Sequence, residues 1–261
     1  MLKISGLGRY FLPFFTLLTY LFLYIPIIIL IIFSFNQSGQ LNQWGGFSTK
    51  WYYELFQNDI IWDAFKNSLV VALSSMALSV TLGVGLVYGF GRRMQDFFGF
   101  FYGSVIVPEI VLGVGLLSIF SILKVPLGMT TLIAGHTLLG LGFVIPIVHG
   151  RYLEIGQQYS EASFDLGASE LQTFFRVILP LLRPALVASS LLVMVISFDD
   201  FLISFFCAGA STQTLSLYIF AMIRTGISPV VNALSTCILL GSSIIVYLFS
   251  TSQAAPLEDM A

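Results

Sequence analysis

The sequence predicts an all-α integral membrane fold with six transmembrane helices, on three observations. Of 261 residues, 57% are hydrophobic and only 9% charged, with a mean hydropathy of +0.94. A soluble domain carries about 25% charged residues, so a surface this poor in charge cannot be kept in water. A helix needs roughly 20 apolar residues to cross the bilayer core. Six stretches qualify: about Phe11–Phe35, Asn67–Phe90, Phe100–Leu123, Thr130–His149, Leu181–Cys207 and Asn232–Thr251. These spans and short loops use up the chain, so it reads as a single transmembrane domain over 1–261 with no soluble domain. The formal net charge of −2 says nothing about nucleic acid.

In chain order, Lys3 and Arg9 precede an apolar run from Tyr10 to Phe35. That run is too long for a signal-peptide core, and no small-x-small cleavage site follows it. It reads as an uncleaved first span, with Pro13 and Pro26 tolerated as they are in membrane helices. The loop Asn36–Lys66 carries Trp44, Phe47, Trp51, Tyr52, Tyr53, Phe56 and Trp62. Aromatics prefer the membrane–water interface, so a short interfacial helix is expected. A surface touching a periplasmic partner is compatible with it. In the second span, Ser75, Ser79 and Gly83 repeat every four residues, as do Thr81, Gly85 and Gly89. Such rows let helices approach closely, within the bundle or against a second membrane subunit. The loop Gly209–Val231 has an apolar middle, Leu215–Ile223, that dips into the membrane or lies on it. Cys207 and Cys237 read as small apolar side chains, with no metal spacing around them.

Carboxylates interrupt two spans. Span three holds Pro108-Glu109, and from Phe100 the glutamate lies about 14 Å along a helix. Span five holds Asp199-Asp200, about 27 Å from Leu181 and so in its outer third. An Asp at the centre of a membrane helix costs about 2.5–3.5 kcal/mol, so intramembrane carboxylates default to a pathway or partner role. The competing reading is a carboxylate that caps a broken helix or pairs with a cation of a neighbouring chain. Both readings stand for Glu109. The pathway is favoured for the aspartates, because adjacent helix residues cannot both face one neighbour.

Orientation follows from Lys and Arg. With the N-terminus inside the cell, Lys3, Arg9, Arg92, Arg93, Arg151, Arg176 and Arg183 fall on the cytoplasmic side. Lys50, Lys66, Lys124 and Arg224 fall outside. Both termini and the polar stretch of about 151–180 are then cytoplasmic.

That stretch is the most specific signal in the chain. It reads Glu161-Ala162-Ser163-Phe164-Asp165-Leu166-Gly167-Ala168-Ser169-Glu170, then Leu171 to Val177, then Ile178-Leu179-Pro180. Ser160 is a plausible N-cap for a short helix from Glu161, and Gly167 suggests a helix break or a close backbone approach. A second helical piece then runs into Pro180, with Pro184 close behind, at the start of span five, where proline costs least. The layout resembles the EAA loop of ABC importer permeases, the segment that docks into the ATPase subunit. Ser163 and Val177 stand where alanine and isoleucine are usual. The resemblance implies docking through Glu161, Ala162, Ser163, Asp165, Gly167, Leu179 and Pro180, on a MetI-like ABC importer permease fold.

ATP use would need a glycine-rich phosphate loop ending in Lys-Ser or Lys-Thr. None of Lys3, Lys50, Lys66 and Lys124 follows a glycine. The chain is therefore expected to be no enzyme and to hold no cofactor, with ATP bound by a separate subunit. No His-Glu-x-x-His or Gly-x-Ser-x-Gly occurs, and His136 and His149 have no ligand set around them.

Three further segments narrow the resemblance: Trp44–Tyr52, Ser197–Phe201 and Gly226–Ala233. They are similar to those of the second permease subunit of spermidine/putrescine ABC importers, except that Val230 stands where an acidic residue is expected. The resemblance implies a heterodimer with a sister permease, an ATPase dimer, a periplasmic binding protein and inward transport of a polycation. Asp199, Asp200 and Glu109 fit that cargo as the substrate pathway. A permease for another small cationic or organic solute is the alternative. An ion-coupled carrier has no use for the Glu161–Pro180 layout. An intramembrane enzyme with a DDxxD metal site would need an aspartate where Ile203 stands.

Overall fold

The computed structural model describes residues 8–40, 43–91, 93, 97, 103, 106–225 and 229–254. Lys3, Arg92, Phe100 and Gly226–Ser228, used above, lie outside the described residues. The described chain is helical apart from loops and one isolated antiparallel bridge between Asn36 and Phe47. Its helices are α1 (Gly8–Ser34), α2 (Lys50–Gln57), α3 (Asp59–Phe90), α4 (Glu109–Ile122) and α5 (Met129–Ile155). There follow α6 (Gln158–Asp165), α7 (Glu170–Thr173), a π-helical turn (Phe174–Ile178), α8 (Leu179–Asp199), α9 (Leu202–Cys207), α10 (Leu215–Thr225) and α11 (Pro229–Ala254).

Among the described residues, four helical stretches are long and apolar enough to cross a membrane: Pro13–Ser34, Asp59–Phe90, Met129–Ile155 and Glu170–Asp199. Glu109–Ile122, Leu215–Arg224 and Pro229–Ile244 are shorter apolar helices. Two expected spans are corrected. Span three is broken rather than continuous: Gly103 and Ile106 are helical, Pro108 is extended (ψ 132°) with no N–H to join a helical ladder, and α4 starts at Glu109. Leu181–Cys207 is two helices, since Asp200 is extended (ψ 128°) between α8 and α9.

The chain divides into two compact units, Met1–Asp59 with Ala221–Ala261, and Ile60–Phe220. In the first, α11 packs on α1 and α2. Much of α1 is bare apolar surface, such as Phe22 at 79% exposed. That is expected of a face whose solvent is lipid tail. The expected short helix of the aromatic loop is α2. The loop before it winds around Asn36, which is fully buried. Its amide donates to the Gln43 carbonyl (2.7 Å) and accepts from the Ser38 and Gly45 amides (3.1 and 2.8 Å). Trp51 Nε1 donates to the Asn36 carbonyl (2.6 Å), so this tryptophan is a buried strut, whereas Trp44 is half exposed.

The second unit holds the core. One cluster joins α3, α5 and α8 through Val87, Val144, Val148 and Leu182. Another joins α3, α4, α5 and α9 through Val71, Leu116, Leu132 and Ile203. The Ser75–Ser79–Gly83 row is buried within this unit: Ser79 Oγ donates to the Thr137 carbonyl (3.0 Å), and a Cβ on Gly83 would strike Val144. The row of Thr81, Gly85 and Gly89 faces outward.

Candidate functional site

The stretch from Gln157 to Pro180 folds by local signals. Gly156, at φ 74°, ends α5, and α6 restarts at once from Gln157. Ser160 is therefore inside the first turn of α6, not its cap. Gly167, at φ 81°, ends α6. Its N–H donates to the Phe164 carbonyl (2.8 Å) and the Ala168 N–H to the Ser163 carbonyl (3.1 Å), the paired bonds of a Schellman motif. A Cβ on Gly167 would meet nothing within 4 Å, so its backbone angle, not a close approach, calls for glycine.

The next helix starts with a capping box. The Gln172 N–H donates to Ser169 Oγ, and the Ser169 N–H donates to Gln172 Oε1. Ser163 Oγ and Thr173 Oγ1 share a buried 2.9 Å hydrogen bond that ties α6 to α7. The Leu179 N–H bonds back to the Phe174 carbonyl, one residue beyond the α-helical partner. This wide turn immediately precedes Pro180, which has no N–H to offer the ladder. Tyr88 Oη, near the end of α3, donates to the Glu170 carbonyl (3.2 Å), and its ring packs tilted against Phe174 with centroids 4.6 Å apart.

Of the expected docking residues, Glu161, Ala162, Asp165, Gly167 and Pro180 are exposed, Leu179 is half-buried and Ser163 is turned inward. Sequence reasoning passed over the apolar side chains beside them. Leu166 is 89% exposed, Leu171 71% and Phe175 59%, with Phe164 also exposed. These side chains lie on a segment too polar to read as lipid-embedded.

The aspartates part company. Asp199 is the last residue of α8 and exposed, while the Asp200 side chain is 2% exposed. The Asp200 carboxylate accepts from the Ile203 N–H (3.3 Å) and the Ser204 N–H (2.8 Å), and so caps α9. This is the broken-helix arrangement that the sequence left as the competing reading. Ser216 Oγ donates to the Asp200 carbonyl (2.6 Å). His136 of α5, fully buried, places Nε2 3.6 Å from Asp200 Oδ2 and 3.2 Å from Ser204 Oγ. Its Nδ1 pairs with Ser197 Oγ at 2.8 Å, and Ser197 pairs with Ser75 Oγ of α3 at 3.1 Å. Glu109 is exposed in the first turn of α4, which packs on α9 and brings it within the field of Asp200. Two glycines let α4 and α5 approach α9. A Cβ on Gly113 would strike Phe206, and one on Gly135 would strike Ile203.

Among the described residues, no group of three or more His, Cys, Asp or Glu could hold a metal ion.

Residues 79–255 match the family described as "Binding-protein-dependent transport system inner membrane component". The chain belongs to that family. It is 38% identical over 231 residues to the spermidine/putrescine transport system permease protein PotC of Escherichia coli (strain K12), covering 87% of this chain and 88% of that one. It is 37% identical over 240 residues to PotC of Haemophilus influenzae (90% and 93% covered). It is 34% identical over 234 residues to the putrescine transport system permease protein PotI of E. coli K12 (85% and 83% covered). The fold is shared with a solved bacterial ABC transporter involved in the import of the acidic polysaccharide alginate. That match has a TM-score of 0.73 at 17% identity, over 96% of this chain and 99% of that one.

An inner membrane component of a transport system is not itself an enzyme, as the missing phosphate loop led us to expect. Within this family setting, sequence reasoning missed His136, Ser197 and Ser204. One available signal was a histidine in the middle of an otherwise apolar span, where any ionisable residue calls for a partner.

Proposed function

We propose that the chain is a membrane-spanning permease subunit of a polyamine ABC importer for spermidine or putrescine. The observation that carries this reading is the 38% identity to a spermidine/putrescine permease along 87% of the chain. In this reading the chain is one transmembrane domain of six spans in the inner membrane, with both termini cytoplasmic. It pairs with a sister permease, takes cargo from a periplasmic binding protein and is driven by an ATPase dimer that binds all the ATP. The α6–α8 segment is the ATPase-docking surface. Its exposed leucines and phenylalanine are left for another chain to cover, and its fusion to α8 through a π turn makes it a lever on that helix.

Cargo ammonium groups are strongly hydrated and need substitute ligands along the route. Asp199 and Glu109 supply exposed carboxylates at helix ends, with Asp200 directly behind Asp199. The test is uptake of labelled spermidine and putrescine into vesicles carrying the full complex, with other cationic solutes as competitors. Polyamine uptake that other cations do not suppress is expected. A competitor imported in place of both polyamines would assign the chain to another cationic solute. Orientation is checked by single cysteines in a cysteine-free background. One at Gln157 resists impermeant thiol reagents in intact cells, and those at Ser38 and Ser211 react.

A further inference from the structure

The break between α8 and α9 is a choice between two sets of hydrogen bonds. Were the helix continuous, the Ile203 and Ser204 N–H groups would bond the carbonyls of Asp199 and Asp200, four residues back. Both bond the Asp200 carboxylate instead, and Ser216 takes the Asp200 carbonyl. The same backbone donors are satisfied either way, so surrounding groups decide which arrangement is held. Those groups are polar and buried: His136 at 1% exposed, Ser204 at 1%, Ser197 at 5% and Ser75 at 0%. His136 touches both sides of the break, Ser197 on α8 and Ser204 with Asp200 on α9. Burying so many polar groups in an apolar bundle is costly unless each is satisfied, and this network satisfies them at one junction.

We propose that His136 is a positioning residue for transport. It fixes the α8–α9 break, so that Asp200 is held as the structural cap of α9 and Asp199 is aimed outward as the carboxylate that meets cargo. This rests on the pathway reading above and divides its two aspartates by role. If the break closes into continuous helix, the backbone around Asp199 turns and its carboxylate leaves the place the cargo reaches. His136 acts through Asp199 and touches no cargo.

The experiment uses the full importer in proteoliposomes and reads two quantities: putrescine and spermidine uptake, and ATP hydrolysis stimulated by loaded binding protein. His136→Phe and Ser197→Ala are each made alone and with Asp199→Asn. His136→Phe is expected to lower uptake per ATP hydrolysed roughly tenfold, the scale of one buried hydrogen bond to a charged group. Stimulated hydrolysis is expected to stay within about twofold, since the docking segment is untouched. In the Asp199→Asn background the same change is expected to add less than about twofold, because residues acting through one another are not additive. Ser197→Ala follows the same pattern with a smaller loss.

Wild-type uptake in His136→Phe, losses that multiply with Asp199→Asn, or hydrolysis falling in step with uptake would each overturn the inference. If His136→Phe does not reach the membrane, the Ser197→Ala cycle decides on the same criteria. The polyamine reading fails separately, when the unmutated complex imports neither polyamine. The cycle is then read with whichever competitor cation is imported, and if none is, the inference falls too.

Discussion

Residues 157–180 and residues 197–204 both interrupt a helix with polar side chains, and they do so in opposite ways. In the first stretch the bonds that shape the turns are made near in sequence, with Tyr88 of α3 reaching the Glu170 carbonyl from farther off. Gly167, Ser169, Gln172 and the Ser163–Thr173 pair all lie within about one turn or one short helix of each other. The polar groups are satisfied there, and the apolar ones, Leu166 and Leu171, are left outside. In the second stretch Ser75, His136 and Ser216 come from other helices, and the polar groups themselves are inside. A region that satisfies its polar atoms and strands its apolar ones fits the proposed docking surface. A region that gathers polar atoms from five helices satisfies them within the chain and fixes geometry.

The largest effect that would break this comparison is at Gly167. Gly167→Arg is expected to abolish both uptake and co-purification of the ATPase while the protein still inserts. A non-glycine residue in left-handed backbone costs about 1–2 kcal/mol, and the side chain would stand on the proposed docking face. Gly167→Asn, which tolerates that backbone, is expected to keep most activity. Normal co-purification and uptake in the arginine variant would remove the docking role.

Next come the stranded leucines. Leu166→Ser with Leu171→Ser is expected to weaken ATPase association at least roughly tenfold, since covering one leucine contributes about 1.5–3 kcal/mol. The melting temperature of the isolated permease should not move. A fall in melting temperature would mean that these side chains are packed within the chain.

The aspartates sharpen the other half. Asp200→Ala is expected to lower the stability of the solubilised complex by about 0.5–2 kcal/mol, the usual loss of a helix cap. Asp199→Ala should leave stability unchanged and reduce uptake. Equal destabilisation by the two would erase the division between them. Glu109→Gln tests the same point on α4: reduced uptake with intact assembly places it on the path, and a weakened complex makes it structural. The smallest effect is at Ser163. Ser163→Ala removes one buried hydrogen bond, about 1 kcal/mol, and should loosen α6 from α7 with a correspondingly modest loss of ATPase binding.

Much of the first region was legible in the sequence, because its signals are local. The glycine break, the proline-bearing start of α8 and the spacing to Leu179-Pro180 could all be read from neighbours along the chain. Ser160 was misplaced as a cap for a local reason too, since Gly156 restarts the helix earlier. The inward turn of Ser163 could not be read, because it depends on where α7 comes to rest.

Composition and apolar length alone determined that this chain is helical and lives in lipid, since few charges and long apolar runs leave no other solvent. They also located Glu109 and the Asp199–Asp200 pair within apolar runs. Tertiary structure alone decided what those carboxylates do. Asp199 and Asp200 are chemically identical neighbours: the bonds from Asp200 to the Ile203 and Ser204 amides are local, but its burial beside His136, while Asp199 stays bare, exists only in the packed structure. The physical reason is distance along the chain. A cap made by a residue three positions away is written in the local sequence, whereas a partner 61 residues away, as His136 is to Ser197, exists only once the helices have packed.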